Sequence, residues 1–251
     1  MNERNLEYLQ ERLYFHGFGN QLEEALKKGM NSQKDHFELN FKGKFERDNK
    51  NDIVDYKLHF SKSSTTDRYF WNHYQATLHR QGEPDRSQEF HIQKGNGISA
   101  RKAYQLLSGN AIYQRYFKSG AGEKPEAFHS WVTLDLKQKN QYGNHPWNYY
   151  NQAYGFDLEK ALKKHALPAM QNQESRTKLL EQLQRGETPK TKLKQGNQEI
   201  TITLKADPRF KQVRLIDETG KALKMGQSEK KKQAQQEEIP KKRRGRKAGV
   251  R

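Results

Sequence analysis

The chain has 251 residues, a formal net charge of +17 and a hydrophobic fraction of only 32%. It contains no cysteine, which excludes a disulfide scaffold, a zinc–thiolate site, an iron–sulfur cluster and a cysteine nucleophile. No apolar run approaches the ~20 residues that a membrane helix needs, and the polar N-terminus lacks the apolar segment of a signal peptide. We therefore expect a cytoplasmic protein without a membrane partner, whose 11% of aromatic residues build a folded core.

The N-terminal region is predicted to form two amphipathic helices. Leu6, Leu9 and Leu13 are spaced by three and four residues, which places them on one helical face. The run from Gly17 to Asn20 interrupts this pattern, and a second helix follows that ends near Gly29.

The period of the apolar residues then changes from helical spacing to strict alternation. Alternation of this kind predicts half-buried β-strands, and the polar stretches between them predict turns. We expect an antiparallel meander with one face on a core. The predicted strands are 37–45, 56–60, 69–78 and 89–93, and the turns are 46–52, 61–67 and 81–86.

The middle of the chain is predicted to contain a capped helix, a second helix and a strand. Ser99 is a suitable N-cap for a short helix that ends at Gly109. The apolar and basic segment 111–118 is interpreted as helical, and 128–136 as a strand. A polar loop containing Pro146 and Trp147 follows.

The last third resembles the first. Gly155 and Phe156 precede a Leu-Glu-Lys-Ala-Leu-Lys-Lys helix, much as Gly17 and Phe18 precede an equivalent one. A leucine-rich helix and two strands, 199–204 and 212–216, come next. These observations suggest a degenerate helix-plus-meander duplication; chance similarity between generic amphipathic helices is the alternative.

The fold class indicated is α+β, with a mainly antiparallel sheet and flanking helices. We divide the chain into an N-terminal α+β unit with the aromatic meander (1–150), a smaller helix-plus-β unit (151–224) and a basic tail (225–251). The tail has no aromatic residue, so it cannot bury enough apolar surface to offset its ordering entropy, and we expect it to be disordered.

Three segments give the chain a resemblance to a known group of proteins. They are Lys94–Ser99 leading into Ala103–Leu107, Tyr154–Leu162 and Ala206–Lys211. In these segments the chain resembles uncharacterised proteins carried by conjugative and other mobile elements of Bacteroidetes, many of which also end in a basic tail. The resemblance implies a bacterial cytoplasm and a mobile-DNA context, and it implies no catalytic residue.

The C-terminal extension concentrates positive charge. From residue 221 to the end there are 12 basic and 3 acidic residues, a net +9 of the total +17. A flexible polycation attracts phosphate polymers, and about six phosphate contacts would give a salt-dependence slope of about −5. The predicted nucleic-acid-binding residues are Lys230, Lys231, Lys232, Lys241, Lys242, Arg243, Arg244, Arg246 and Lys247.

The centre of the second basic cluster, Arg244-Gly245-Arg246, resembles the core of an AT-hook, in which the two arginines spread along the minor groove. The motif normally continues with proline, and Lys247 stands there instead, which weakens any A·T preference. A solubilising tail, a protein-binding tail or a transport signal are the alternatives.

A glycine-containing turn before the third helix is a candidate phosphate contact, because a helix N-terminus offers free N–H groups. It lacks the Gly-Lys-Ser/Thr ending of a P-loop and the three-glycine spacing of a dinucleotide fingerprint, so an ordinary turn and cap is the competing interpretation. The candidate residues are Lys94, Gly95, Gly97, Ser99, Arg101 and Lys102.

The strand Tyr69–Tyr74 alternates aromatic rings, so either Phe70 and Tyr74 or Tyr69 and Trp71 could face outward near Lys62, Arg68 and Arg80. Exposed rings among cations would make a base-stacking platform, although we expect this strand to be mainly core.

No metal site, cofactor or catalytic residue is predicted. His59, His73, His79 and His91 lie in the meander, but no zinc-protease spacing and no carboxylate cluster is apparent beside them. No nucleophile–base set stands out either.

The leading hypothesis is therefore a non-enzymatic nucleic-acid-binding accessory protein of a mobile element, with DNA rather than RNA as the partner. Since phosphate contacts position a protein without reading sequence, we expect little sequence specificity. The alternative is a protein-interaction adaptor or inhibitor that acts on a mobile-element or host-defence factor.

Overall fold

The computed structural model describes residues 2–47, 50–93, 96–118, 126–196 and 198–223. Five α-helices occur in this part of the chain: α1 Glu3–Leu13, α2 Glu23–Asn31, α3 Ala100–Leu107, α4 Leu158–Leu162 and α5 Gln173–Gln184. Ten strands form three antiparallel sheets, each with its strands in sequential order. The α+β fold class expected from the sequence is confirmed.

The N-terminal sheet has four strands: β1 His36–Arg47, β2 Lys50–Lys62, β3 Tyr69–His79 and β4 Arg86–His91. Its inner face is buried under α1, α2 and α3. The predicted alternation is observed: Tyr56, Leu58 and Phe60 are buried, whereas His59 between them lies on the outer face and is only partly buried. This sheet and its three helices form the first hydrophobic cluster.

The middle sheet has three strands: β5 Ile112–Lys118, β6 Glu126–Leu134 and β7 Trp147–Asn151. Its two faces belong to different cores. Val132 and Leu134 of β6 pack into the first cluster, whereas Trp131, which directly precedes Val132, packs into the second.

The C-terminal sheet has three strands: β8 Lys190–Gln195, β9 Gln198–Asp207 and β10 Gln212–Ile216. Helix α4 packs on β10 and α5 packs on β9. Leucines and isoleucines from these helices and strands make the second hydrophobic cluster.

Local signals explain where several of these elements begin and end. The side chain of Asn2 accepts a hydrogen bond from the Asn5 backbone at 3.0 Å and starts α1. As predicted, Ser99 caps α3, and Gly109 follows it with φ +78°. Gly17 has φ +86°, a conformation open to glycine at little cost, and it ends the first helical segment where the sequence predicted a break.

Three predictions about secondary structure were wrong. Segment 111–118, predicted to be helical, is strand β5, and Trp147, predicted to lie in a loop, begins β7. The predicted turn at 46–52 is much shorter, since β1 continues to Arg47 and β2 starts at Lys50. Short apolar runs have no decisive period, so cross-strand pairing with β6 decided the first two cases.

The proposed boundary between 1–150 and 151–224 and the proposed duplication stay predictions. The N-terminal and C-terminal sheets each follow a pair of helices. Gly17 and Gly155 both have positive φ, and each precedes a phenylalanine that packs edge-on against a tryptophan.

The tail lies outside the described residues. In the part of the chain that is described, no helix has the length and apolar character needed to span a lipid bilayer.

Candidate nucleic-acid interface

A cleft of about 580 Å³ lies between α1 and the first residues of β3. None of the described residues that line it is acidic. The lining residues are Arg4, Asn5, Tyr8, Leu9, Arg12, Arg68, Tyr69, Phe70, Trp71, Asn72 and Ile92.

The cleft exists because β4 is shorter than β3. Strand β4 pairs with β3 only from His73 to Leu78, so the segment Tyr69–Asn72 extends past the end of β4. The side-chain amide of Asn5 occupies part of the free edge: its Nδ2 donates to the Tyr69 carbonyl at 3.0 Å, and its Oδ1 accepts from the Tyr69 N–H at 2.7 Å. These two bonds fix α1 beside β3 and set the geometry of the cleft.

Three arginines supply the charge of this cleft. Arg4 and Arg12 flank Tyr8 on α1 at four-residue intervals, which places all three on neighbouring turns of one helix face. Arg68 comes from the residue before β3. Among the described residues, none of these three guanidinium groups forms an ion pair, so their charges are not neutralised within the fold.

Two hydrogen-bond donors in the cleft walls have no acceptor. The indole Nε1 of Trp71 and the Nε of Arg12 are buried atoms for which the described chain offers no partner. Trp71 is 5% exposed, and the imidazole of His16 lies edge-on to it at 4.9 Å between ring centroids. Burying a polar group without a hydrogen bond is costly, so unpaired donors mark places where an acceptor would be favourable.

Two aromatic rings of the cleft are open to solvent. Tyr8 is 42% exposed and Phe70 is 50% exposed, and the Arg12 guanidinium lies 5.0 Å from the centroid of the Tyr8 ring. These rings and the neighbouring cations form the combination that binds unstacked bases.

The predicted aromatic platform on β3 is thus present only in part. Tyr69, Trp71 and Tyr74 are buried, as expected for a strand that is mainly core, and Phe70 alone faces outward. Of the cations expected around it, Arg68 lines the cleft. Lys62 donates to Gln33 at 2.8 Å, and Arg80 is buried against Asp52, so neither joins the platform.

The other predicted binding residues are not brought together with this cleft. The predicted tail contacts, from Lys230 to Lys247, lie outside the described residues, as do Lys94 and Gly95. Their role stays a prediction.

Most of the predicted phosphate turn has partners inside the fold. Arg101 forms an ion pair with Glu187 at 3.2 Å, and Lys102 donates to the Tyr113 carbonyl and to Gln114. Burial, reinforced by the charge of Arg185, lowers the pKa of Lys102. Ser99 accepts from the Lys102 backbone as an ordinary N-cap, and a Cβ at Gly97 would lie 2.4 Å from Ile92, so packing alone explains that glycine.

The sequence indicated no carboxylate cluster beside the meander histidines, but the structure places single carboxylates against them. Glu38 lies 3.1 Å from His59, and Glu89 lies 3.3 Å from His91, on the outer face of the N-terminal sheet. His73, Glu89 and His91 have ligand atoms within 4.8 Å of one another. The signal available in the sequence was the Glu89–His91 spacing of two, which places both side chains on one face of a strand.

A second, larger cleft of about 1100 Å³ lies between the middle sheet and α4–α5. Aromatic rings such as Tyr113, Trp131 and Phe156 line it, together with the carboxylates of Glu126 and Asp157. The carboxylates disfavour a polyanion, so this cleft is a weaker candidate than the arginine-lined one.

Comparisons with known proteins identify no relative of this chain. No family model, no curated protein and no solved structure matches it.

Proposed function

We propose that this protein is a non-enzymatic nucleic-acid-binding accessory protein whose α1–β3 cleft contacts an unstacked strand. The observation that carries the proposal is the composition of that cleft. Within the described part of the chain it combines three arginines without ion pairs, two donors without an acceptor and two exposed rings, and none of the described residues that line it is acidic.

The cleft chemistry matches the parts of a single strand. Phosphate oxygens accept hydrogen bonds from guanidinium groups, and bases stack on exposed aromatic rings for about 1–3 kcal/mol each. Stacking and phosphate contact are tolerant of sequence, so little specificity is expected.

The basic tail adds a long-range contribution in this proposal. Its two clusters, 230–232 and 241–247, would neutralise further phosphates and raise the association rate. The proposed setting is the DNA of a mobile element in a bacterial cytoplasm, which the sequence resemblance supports.

Binding of fluorescent single-stranded and duplex oligonucleotides across a salt series tests the proposal. Phe70→Ala is expected to weaken single-strand binding by about 5- to 150-fold, since one stacking contact is lost. Replacing Arg4, Arg12 and Arg68 by glutamine is expected to reduce the salt-dependence slope by about 2, because three phosphate contacts on a single strand contribute about 0.7 each.

A matched control is the pair Arg209 and Phe210, in which a guanidinium also lies over an exposed ring, at 5.4 Å. Replacing both, by glutamine and alanine, should leave affinity within about twofold of wild type. Removal of 225–251 separates the contributions: affinity falls, and the remaining binding keeps its sensitivity to Phe70→Ala. Wild-type affinity after both the cleft substitutions and the truncation would refute nucleic-acid binding and favour the adaptor hypothesis.

A further inference from the structure

The outer face of the N-terminal sheet carries a row of ionisable side chains that crosses all four strands. Glu38 on β1 is directly opposite His59 on β2, His59 is opposite His73 on β3, and His73 is opposite His91 on β4. Residues that are opposite each other in an antiparallel pair have Cβ atoms about 5 Å apart. The sheet register therefore aligns three imidazoles and a carboxylate.

The side chains in this row contact one another. His59 Nδ1 lies 3.1 Å from Glu38 Oε1, and the His59 and His73 rings stack with centroids 4.4 Å apart. The His73 and His91 ring centroids are 5.8 Å apart. Glu89 precedes His91 by two residues on β4, so it shares the face, and its Oε1 lies 3.3 Å from His91 Nε2.

One end of the row has the arrangement of a metal site. His73, Glu89 and His91 each offer one ligand atom, and these atoms all lie within 4.8 Å of one another. Ligand atoms that surround a tetrahedral zinc ion at about 2.0–2.1 Å are separated by about 3.3 Å. Small side-chain rotations are enough to close the difference, because His91 and Glu89 lie on an open face of an edge strand.

Neighbouring side chains in the row support the His73 end of this arrangement. Stacking of His59, which is itself held by Glu38, restrains the His73 ring in the manner of the supporting residues around known metal ligands.

We propose that His73, Glu89 and His91 form a surface site for a zinc-class divalent cation, with water completing the coordination. Two imidazole nitrogens and one carboxylate oxygen are donors that zinc accepts in a tetrahedral arrangement. Because the ligands come from two neighbouring strands, the ion would crosslink the edge strand β4 to β3. The site is independent of the arginine-lined cleft and of any nucleic acid.

Titration of the tag-free full-length protein with ZnCl₂ in a calorimeter tests the proposal. Wild type is expected to bind one ion with a dissociation constant in the micromolar range or below. His73→Gln and His91→Gln are each expected to weaken binding at least about 30-fold, since each removes one of three ligands. Cobalt(II) provides a second readout, as the visible absorption of a four-coordinate ion should appear with wild type and be absent with either variant.

His79→Gln is the matched control. His79 lies on the same face of β3, but its two ring nitrogens lie 3.1 Å from Asp55 and 2.9 Å from Asp85. This variant should bind zinc like wild type. All variants should melt like wild type without metal, whereas zinc should raise the melting temperature of wild type and His79→Gln only. Equal zinc affinity of wild type and the His73→Gln/His91→Gln double variant, or an equal loss in His79→Gln, would overturn the assignment.

Discussion

The side chain of Asn5 pairs with both backbone groups of Tyr69, donating to the carbonyl at 3.0 Å and accepting from the N–H at 2.7 Å. A strand neighbour would normally make these two bonds. One amide on α1 therefore takes the place of the strand residue that β4 does not supply opposite Tyr69, and both Asn5 and Tyr69 are buried.

Asn5→Ala is expected to lower the free energy of unfolding by about 2–4 kcal/mol, because it leaves two buried backbone groups unpaired. The free energy of unfolding of Asn5→Asp should lie between those of wild type and Asn5→Ala, since the carboxylate keeps an acceptor for the Tyr69 N–H and loses the donor. Urea denaturation measures both. Asn40→Ala on the exposed face of β1 is the control and should stay within about 0.5 kcal/mol of wild type. If Asn5→Ala is as stable as wild type, the N–H and carbonyl of Tyr69 have found other hydrogen-bond partners.

Asp52 is expected to be the most costly carboxylate to neutralise. It is 2% exposed, and its Oδ2 accepts hydrogen bonds from Arg80, Arg47 and the Tyr104 hydroxyl. Asp52→Asn removes the buried counter-ion of Arg80 and leaves it only the partly exposed Glu83 carboxylate at 3.7 Å, so a loss of about 3–5 kcal/mol is expected in denaturant melts.

Asp55→Asn is the matched control for that substitution. Asp55 lies on the outer face of the same strand, with exposed partners, and its loss should cost less than about 1 kcal/mol. Burial by itself raises the pKa of Asp52, but hydrogen bonds from Arg80 and Tyr104 outweigh it and hold the pKa below its usual value. The stability from this carboxylate is therefore present above pH 3.8 and is lost as the pH falls through its folded-state pKa.

Stability should also decrease between neutral and mildly acidic pH because of His16. Burial lowers the pKa of this imidazole below 6.5, although its hydrogen bond to the Arg12 carbonyl acts in the opposite direction. Below pH 6.5 the unfolded chain binds a proton that the folded chain does not, so folding becomes less favourable as the pH falls to the folded-state pKa. His16→Gln is expected to show a smaller loss between pH 7.5 and 5.5.

His73 and His165 also have pKa values lowered by burial, and they contribute a loss of the same sign. The informative quantity is therefore the difference in pH dependence between wild type and His16→Gln. An identical dependence in the two proteins would show that His16 is accessible to protons in the folded state.

Gly186 connects α5 to β8 and should not tolerate a side chain. Its φ is +84°, and a Cβ would lie 2.7 Å from Ile112 and 3.0 Å from the Ala111 carbonyl. Gly186→Ala is expected to cost more than about 2 kcal/mol, from backbone strain and overlap together. Gly220 has φ +82° and open space around it, so Gly220→Ala should show only the backbone cost of about 1–2 kcal/mol. Equal effects of the two substitutions would argue against the close packing at Gly186.

The sequence predicted the N-terminal sheet well because its strands alternate over most of their length. Leu58 and His59 illustrate the pattern, with one residue buried and the next on the outer face. The exception is in β3, where a register shift between β2 and β3 at His59 and Phe60 accompanies the burial of both Trp71 and Tyr74.

The middle sheet was predicted only in part: β6 was recognised as a strand over 128–136, whereas β5 was interpreted as a helix and the start of β7 as a loop. Ile112 and Tyr113 face different cores, and periodicity alone cannot distinguish such a strand from a short buried helix.

The arginine-lined cleft could be predicted only in fragments. Phe70 and Arg68 were visible as part of an aromatic, basic strand, and Arg4, Tyr8 and Arg12 have the four-residue spacing of one helix face. Their convergence depends on where β4 ends and on the Asn5 contact, and neither has a local sequence signal. The histidine row likewise requires the register of four strands, which no single segment encodes.

The position of the middle sheet has a consequence for the cooperativity of unfolding. Trp131 and Val132 are adjacent in β6 yet belong to the two separate hydrophobic clusters. Unfolding of either hydrophobic cluster uncovers one face of the middle sheet. Neither cluster can therefore unfold without exposing apolar residues of strands that also belong to the other. The two clusters should unfold in one calorimetric transition, whose heat capacity increment reflects the apolar surface exposed by both.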